Sequence, residues 1–529
     1  MTSSSITTAN DQRPQADVLT SRGVLVRSMA WNLIGTCAPI IVAVFAIPIL
    51  TKSLGIDRFG VLALSWAVVG YFGLFDLGLG RAVTKIVAEK IGTGELELIA
   101  PLFWTSFWIM SGIALLLGLI TFFATPLMVN RILNIPPPIR PEAETAWSVL
   151  ALGMPFVITT TAMRGLLEAQ QRFRIASAIR IPFGALTYAA PVFVLPFSRQ
   201  LPAIMIALIG SRVLSWVAHL LAVLHTTPAL SRSLRLDCGL LRPLFQFGTW
   251  MTVSNVLTPL ISTLDRFLIG SLLTVTAVAY YATPAELVTR VAIIPSAVVA
   301  VLFPAFSTAF AFNRARADKL FLSGVKFTFI VLLPTVTLLI AFAPEGLRLW
   351  LGKDFAEHSY RVLQWLSVGI LVNSLGYVPF AAIQGVGKPK WTGLLHLTEI
   401  PFYALLMWFM ISRFGIEGAA MAWTVRVVFD TFTLFVMSHF LLPGISLNRL
   451  ATLPWLVVTI SLIAIALLPA LLSTRVVLGT LSIAGFLIAA WFYMLSAEDR
   501  ALVSRLSGTL RLVKGSEPIK GRLALEKID

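Results

Sequence analysis

The sequence predicts an all-α, polytopic membrane protein of about 14 transmembrane helices, in two six-helix lobes plus two C-terminal accessory helices. Three observations carry this reading. Of 529 residues, 57% are hydrophobic and 12% are charged, about half the charge of an average soluble domain. Mean hydropathy is +0.87, more apolar surface than a soluble chain of this length can bury, because single cores stop growing beyond roughly 250–300 residues. The apolar runs are long and continuous, as a helix crossing about 30 Å of hydrocarbon requires, whereas a barrel strand shows about ten residues of alternating polarity.

Breaks at glycine, proline and charge clusters divide the chain into spans at Ser28–Leu50, Phe59–Leu79, Leu98–Ala124, Trp147–Glu168, Ala178–Phe197 and Pro202–His225. The second half continues with Leu244–Gly270, Ala277–Phe303, Phe321–Ala343, Tyr360–Gln384, Thr392–Ile411 and Ile416–Leu441, then Leu453–Leu472 and Val476–Leu495. The expected organisation is a cytoplasmic tail (1–27), an N-lobe (28–226), an inter-lobe linker (227–242), a C-lobe (243–441), two accessory helices (452–496) and a basic tail (497–529). The first 20 residues are polar, so no cleavable signal peptide opens the chain and the first span is the expected insertion signal.

With the N-terminus inside, the inner segments hold 25 Lys and Arg and the outer segments nine. That asymmetry puts both termini in the cytoplasm. It also explains the net charge of +16 without a nucleic-acid partner. Cys37 and Cys238 supply neither a disulfide framework nor a zinc site, and the five histidines are scattered. No cofactor or metal is expected. The chain has no GxxxxGK[ST], HExxH or strand-to-helix GxSxG motif, and no outer loop exceeds about 22 residues on this span reading. Function therefore has to reside within the bundle.

Two matches suggest a six-helix repeat. Pro39 and Phe59 recur as Pro259 and Tyr280, and Gln170 in GLLEAQQRFR recurs as Gln384 in AAIQGVGKPK. An even number of helices gives both halves the same orientation, related by an axis along the membrane normal, with the substrate path between them.

Polar groups at bilayer depth cost about 2.5–3.5 kcal/mol or more when charged, so they face water or one another. The seventh span carries Thr252, Asn255, Thr258, Ser262, Asp265 and Arg266 along one stripe. The eighth carries Tyr280, Thr283, Glu286 and Arg290, the last two spaced i,i+4 for an ion pair. The twelfth carries Arg426 and Asp430 at the same spacing, and the tenth carries Tyr377. Asn32 marks the first span, Arg164 and Glu168 the end of the fourth, and Arg212, Trp216 and His219 share a face of the sixth. Arg212 has no acid within one turn, which makes it the candidate for a cation facing the lumen. Guanidinium groups at that depth suit an anion, because they stay charged and grip phosphate bidentately. Trp216, Trp250, Tyr280, Tyr281 and Tyr377 are available to stack on sugar faces; packing is the alternative reading for each.

The stretches NLIGTCAPIIVAVFAIPILTKSLGIDRFGVLAL and YFGLFDLGLGRAVTKIVAE resemble the opening of the bacterial polysaccharide transporters and oligosaccharide flippases. These belong to the multidrug/oligosaccharidyl-lipid/polysaccharide exporter superfamily. The resemblance continues through GLLEAQQRF, LDRFLIGSLL, AYYATPAELVTRVAIIPSAVVAVLFPAFS and GVGKPK. The segment LLTVTAVAYY departs from the family in lacking the glycines common after the seventh helix.

The resemblance implies translocation of an undecaprenyl-pyrophosphate-linked oligosaccharide across the inner membrane, without catalysis, with membrane lipids and polysaccharide-assembly proteins as partners. It also implies a cationic lumen mapped onto Arg212, Arg266, Arg290, Arg164 and Arg426. Asp265, Glu286 and Asp430 are candidates for ion coupling, and Asn32, Asn255, Thr258, Ser262, Tyr280 and Tyr377 for lumen lining. The rival readings are a drug or cation antiporter on the same fold, a flippase for the peptidoglycan lipid precursor, and a polymerase or ligase. The short outer loops disfavour the last.

Overall fold

The structure, a computed structural model, describes residues 22–73, 76, 78–232, 239, 264–312, 314–442, 445, 472–495 and 500. Among these it contains helices and turns only. Nine described helices are long and apolar enough to cross a membrane, and Ala38–Leu54 is a shorter apolar stretch. Leu453–Leu472 and most of Leu244–Gly270 lie outside the described residues, apart from Leu472 and 264–270.

The first helix, α1 (Arg22–Leu54), carries Pro39 and Pro48 inside it. The second span is shorter than its hydropathy suggests, because α2 (Ile56–Phe72) stops before the FDLGLG sequence. The chain restarts as α3 (Leu79–Thr93), where no helix is expected from hydropathy. This helix is amphipathic. Leu79, Ala82, Val83 and Val87 are fully buried at helical spacing, whereas Arg81, Lys85 and Glu89 are exposed. It ends on Gly94 at φ +80°, which returns its N–H to the carbonyls of Lys90 and Ile91.

The remaining elements are α4 (Ile99–Leu127), α5 (Arg140–Leu152), α6 (Met154–Ala169), α7 (Phe173–Val194) and α8 (Leu201–Thr226). They are followed by α9 (Val275–Val291), α10 (Ile293–Phe312), α11 (Arg314–Ala341), α12 (Ala343–Leu351) and α13 (Lys353–Gly385). Last come α14 (Pro389–Leu441) and α15 (Leu472–Ala489). The eleventh and twelfth spans run through α14 and meet at a kink where Gly415 takes φ +59°, ψ −139°, a conformation a β-carbon disfavours.

The chain divides into two compact units. One comprises Met1–Arg290, Glu345–Leu366 and Gly393–Arg426; the other comprises Val291–Pro344, Ser367–Thr392 and Val427–Asp529. In the first, α1 packs on α7, α7 on α8, α3 and α4 on α6, and α5 on α8. Leu115, Leu116, Ile120 and Phe123 of α4 are exposed, as befits helices whose surroundings are acyl chains. In lipid, apolar burial gives helices little reason to associate, so close approach at small residues takes over. Gly80 of α3 and Gly165 of α6 provide it: a β-carbon on Gly165 would lie 2.5 Å from the Gly80 carbonyl oxygen.

In the second unit α10 packs on α11 and α11 on α15. Phe321 meets Phe435 edge to face at 6.0 Å, and the Phe329 and Phe486 rings lie the same distance apart. Lys388 Nζ donates to the Leu441 carbonyl at the end of α14, where a cation complements the helix dipole.

Gly165→Ala is expected to wedge α3 from α6. Overpacking of this kind costs about 1–3 kcal/mol, to be read as a lower melting temperature of the detergent-solubilised protein. An unchanged melting temperature would show that the Gly80–Gly165 approach is not what holds α3 in place.

Candidate functional site

The polar groups predicted at bilayer depth meet in the first unit. The helical stretch 264–272 brings in Asp265 and Arg266, both buried, at 4% and 8% exposure. Asp265 accepts from the backbone N–H of Arg266 at 2.7 Å and from the Tyr281 hydroxyl at 2.6 Å. Arg266 Nη2 reaches Glu286 Oε1 of α9 at 2.8 Å. One helical turn on, Arg290 Nη2 reaches the other oxygen of the same carboxylate, Oε2, at 2.9 Å. Glu286 thus bridges two guanidiniums, one tethered by its own helix and one from elsewhere.

Arg290 also donates to the Tyr188 hydroxyl of α7 at 3.0 Å. Beside Tyr188, Thr187 accepts from Nη2 of Arg212 on α8 at 2.8 Å. The Arg212 Nε is buried without a hydrogen-bond partner among the described residues. Trp66 of α2 packs its ring edgewise on Tyr188 at 5.0 Å. Arg212, Arg266 and Arg290 therefore share one neighbourhood with Glu286 and Asp265, which among these described residues leaves one positive charge in excess. Arg290 and Glu286 remain partly exposed, at 36% and 29% of their side chains.

Of the other predicted cations, Arg164 falls elsewhere, whereas Arg426 borders the same cluster, close enough to act on Asp265. Arg164 pairs with Glu168 at 3.4 Å, both well exposed. Arg426 Nη1 meets Glu399 at 3.3 Å, 27 residues back, and its guanidinium lies 5.2 Å over the Tyr403 ring. Glu399 is 2% exposed. Asp430 is buried in the second unit, which also holds Tyr377.

Several aromatic candidates are committed to packing. Tyr280 donates to Asp354 at 2.8 Å and stacks on His358 at 4.6 Å. Trp216 donates to Thr159 at 2.8 Å and packs on Phe156. Buried His219 holds the Ser215 carbonyl through Nδ1. Asn32 lies on α1, while Asn255, Thr258, Ser262 and Trp250 lie outside the described residues.

Asp76, Glu399 and Tyr188 are contributions that the sequence reading missed. Asp76 sits in the break between α2 and α3, where Oδ1 accepts from Gly78 N at 2.8 Å and Oδ2 from Gly80 N at 3.2 Å. It supplies the acceptor that a helix N-terminus inside a membrane protein needs. Its signal was legible as an aspartate two residues before Gly-x-Gly in an otherwise apolar run.

The same unit is stitched together at the end that the Lys and Arg count assigns to the outside. Thr276 donates to Asp57. The Asn134 amide donates to the Ser271 carbonyl at 2.7 Å and its backbone N–H to Gly270 at 2.9 Å. Gly60 lies so near the Val275 carbonyl that a β-carbon would be 1.9 Å from its oxygen. Arg58 holds Glu142 through two hydrogen bonds. Arg290 lies 15 residues further along α9 than Val275, hence about 22 Å inward at 1.5 Å per residue.

Residues 49–360 match the model of a family described as "Polysaccharide biosynthesis protein". The chain belongs to this family. Among curated proteins, it is 28% identical over 413 residues to a putative O-antigen transporter of Shigella flexneri, covering 78% of this chain and 96% of that one. It is 26% identical over 390 residues to the succinoglycan biosynthesis transport protein ExoT of Rhizobium meliloti, covering 69% and 70%.

Solved structures agree in fold. An inward-facing multidrug resistance MATE family transporter of the MOP superfamily superposes with TM-score 0.66 at 15% identity, covering 80% of this chain and 99% of that one. The lipid II flippase MurJ, in an inward closed conformation, gives 0.66 at 12% identity, covering 88% and 99%. Both likenesses are of fold; with nine described helices long and apolar enough to cross a membrane, the chain is a membrane-embedded member of its family.

The buried Arg426–Glu399 pair gives a direct test of the charge pairing. Glu399→Ala strands a guanidinium and is expected to cost about 3–5 kcal/mol, whereas replacing both partners by leucine is expected to recover most of that loss. Thermal unfolding in detergent reads both variants. Equal losses in the single and double variants would refute the pairing.

Proposed function

We propose that this protein carries a lipid-linked oligosaccharide unit from the cytoplasmic to the periplasmic leaflet of the bacterial inner membrane, for O-antigen, capsule or exopolysaccharide assembly. It works without covalent chemistry. The carrier is undecaprenyl pyrophosphate, both termini are cytoplasmic, and polysaccharide-assembly proteins of the same membrane are its partners. The two lobes are residues 28–226 and 243–441, and alternating access rocks one against the other.

The single observation that carries this reading is the arginine cluster Arg212, Arg266 and Arg290, with one positive charge beyond its two acids. A diphosphate leaving water at bilayer depth loses its hydration, and preplaced guanidiniums replace it. Arg290 and Arg212 each spend a donor on a neutral hydroxyl, of Tyr188 and Thr187. Those donors can turn to phosphate oxygens without stranding another charge. The sugars follow the diphosphate into the polar path, and the polyprenyl chain stays in lipid. The stitched end, from Asp57–Thr276 to Gly60–Val275, is the closed gate, so the substrate enters from the cytoplasmic side.

The names of the curated relatives support the same class of cargo. A cationic-drug antiporter fits less well, because such a substrate needs an acid to spare. Here Asp265 is tied to Tyr281 and the Arg266 backbone, and Glu286 to two arginines. Arg164 and Arg426 stand at the edges of this path. Asp265, Glu286 and Asp430 are the carboxylates able to couple the cycle to protons, and Tyr377 is a candidate for lining a polar path.

Replacing Arg212 and Arg290 together by glutamine removes two charge-assisted contacts worth about 1.5–3 kcal/mol each, or about a hundredfold or more in transport. Surface polysaccharide of a deletion strain carrying this variant should be lost while the protein still reaches the membrane. Normal surface polysaccharide would overturn the cationic-site reading.

A further inference from the structure

Glu286 stands where the cargo has to bind. Its two carboxylate oxygens are each taken by a different guanidinium, Arg266 at 2.8 Å and Arg290 at 2.9 Å. A phosphate presents the same pattern, two acceptor oxygens on one centre facing two N–H donors. Arg266 is almost wholly buried and its side chain is 9% exposed, but Arg290 and Glu286 are open at 36% and 29%. The bridge is therefore partly open on one side and anchored in protein on the other.

From this geometry we infer that Glu286 is a resident anion that mimics a phosphate, and that it sets a charge threshold for cargo. This rests on the reading of Arg266 and Arg290 as the diphosphate site. To bind both guanidiniums, an incoming headgroup must displace a carboxylate held by two charge-assisted contacts. A phosphodiester with a single negative charge, the headgroup chemistry of bulk membrane phospholipid, offers no more charge than the glutamate it would replace. A diphosphate offers at least twice as much and wins the exchange. Bulk lipid vastly outnumbers cargo in a membrane, so a site of bare arginines would fill with the wrong headgroup. The displacement cost falls on every headgroup alike; it holds the monoanion below occupancy and leaves the diphosphate, which starts from stronger contacts, above it.

The groups around Glu286 fit this role. Tyr188 meets Arg290 from α7 with a neutral hydroxyl, so the arginine keeps a partner until the headgroup arrives. Asp265, tied to Tyr281 and adjacent to Arg266, keeps an acid beside the buried guanidinium during the exchange. Glu286 itself lies on α9 next to Pro284, where the helix lacks one backbone N–H donor.

The experiment uses the full chain, purified in a nonionic detergent, with binding measured calorimetrically. The probes are inorganic pyrophosphate and glycerophosphoglycerol, a soluble monoanionic phosphodiester. The wild type should prefer pyrophosphate. Glu286→Gln removes the competing charge and should tighten both ligands. Both should gain by a similar factor, about tenfold or more, because the same displacement cost is lifted from each, and the monoanion should thereby become measurable. Glu286→Asp keeps the charge but is one methylene short of bridging both arginines. It should tighten both ligands by less, and it covers the case in which the glutamine variant fails to fold. Arg290→Gln should weaken pyrophosphate in either background.

Pyrophosphate binding by the wild type that depends on Arg290, with affinities that neither Glu286 variant changes, would overturn the threshold and leave the site intact. Pyrophosphate binding absent from the wild type and from both Glu286 variants would overturn the diphosphate site itself, and the threshold with it.

Discussion

A carboxylate held between two guanidiniums, Glu286 between Arg266 and Arg290, is the contact around which the described polar interior is arranged. Charges at bilayer depth persist only when they meet an opposite charge, a dipole or water. Arg266 is buried and needs Glu286, which in turn is shared with Arg290, and Arg290 needs the Tyr188 hydroxyl to complete its shell. Asp265 is satisfied by Tyr281 and a backbone N–H. Each member fixes the next, so the cluster specifies how α7, α9 and the stretch 264–272 come together. Apolar packing against lipid specifies this poorly.

How much of this was legible follows from the range of each interaction. The Glu286–Arg290 pair was readable because a helix places residues four apart on one face. The Arg164–Glu168 pair was readable for the same reason. The Arg426 partner was not: hydropathy and spacing favoured Asp430, whereas Glu399 arrives from the preceding span across the Gly415 kink. Tyr188, 102 residues from Arg290, left no local sign. Spans were legible wherever about twenty apolar residues run together. The second span was overextended because Leu74, Phe75 and Leu77 keep the FDLGLG stretch apolar, while the aspartate and glycines that end the helix carry little weight in a hydropathy average. Asn255, Thr258 and Ser262 lie outside the described residues, so the polar stripe of the seventh span rests on its sequence.

The stitched end shows a different kind of determinant. Its contacts are largely backbone: Gly60 against the Val275 carbonyl, and Asn134 against the carbonyls of Gly270 and Ser271. Carbonyls exist at every position, so such a seam has no residue signature beyond a glycine that permits approach and an asparagine that donates. Under the proposed cycle this seam has to part. Hydrogen bonds from neutral side chains to carbonyls contribute only about 1 kcal/mol each, because water replaces them when the seam opens. A gate closed by buried ion pairs would be far harder to open, and the one ion pair nearby, Arg58–Glu142, is partly exposed at 35% and 21%.

Arg212 completes this logic by contrast. Its shell in the structure is one hydroxyl, Thr187, with Nε buried and unmatched among the described residues. Burying an under-satisfied polar group costs about 1–3 kcal/mol, and more when it is charged. A structural arginine would have been given an acid, as Arg266 and Arg426 were. The simplest account of a guanidinium left short of partners beside a cluster with one charge in excess is that its missing partner arrives with the cargo. Arg212 then stores a cost in the empty state that binding relieves. The Glu286 bridge does the opposite, because its two contacts are complete until the cargo breaks them. One group drawing the anion in and another resisting its entry make selection by charge possible at a single site.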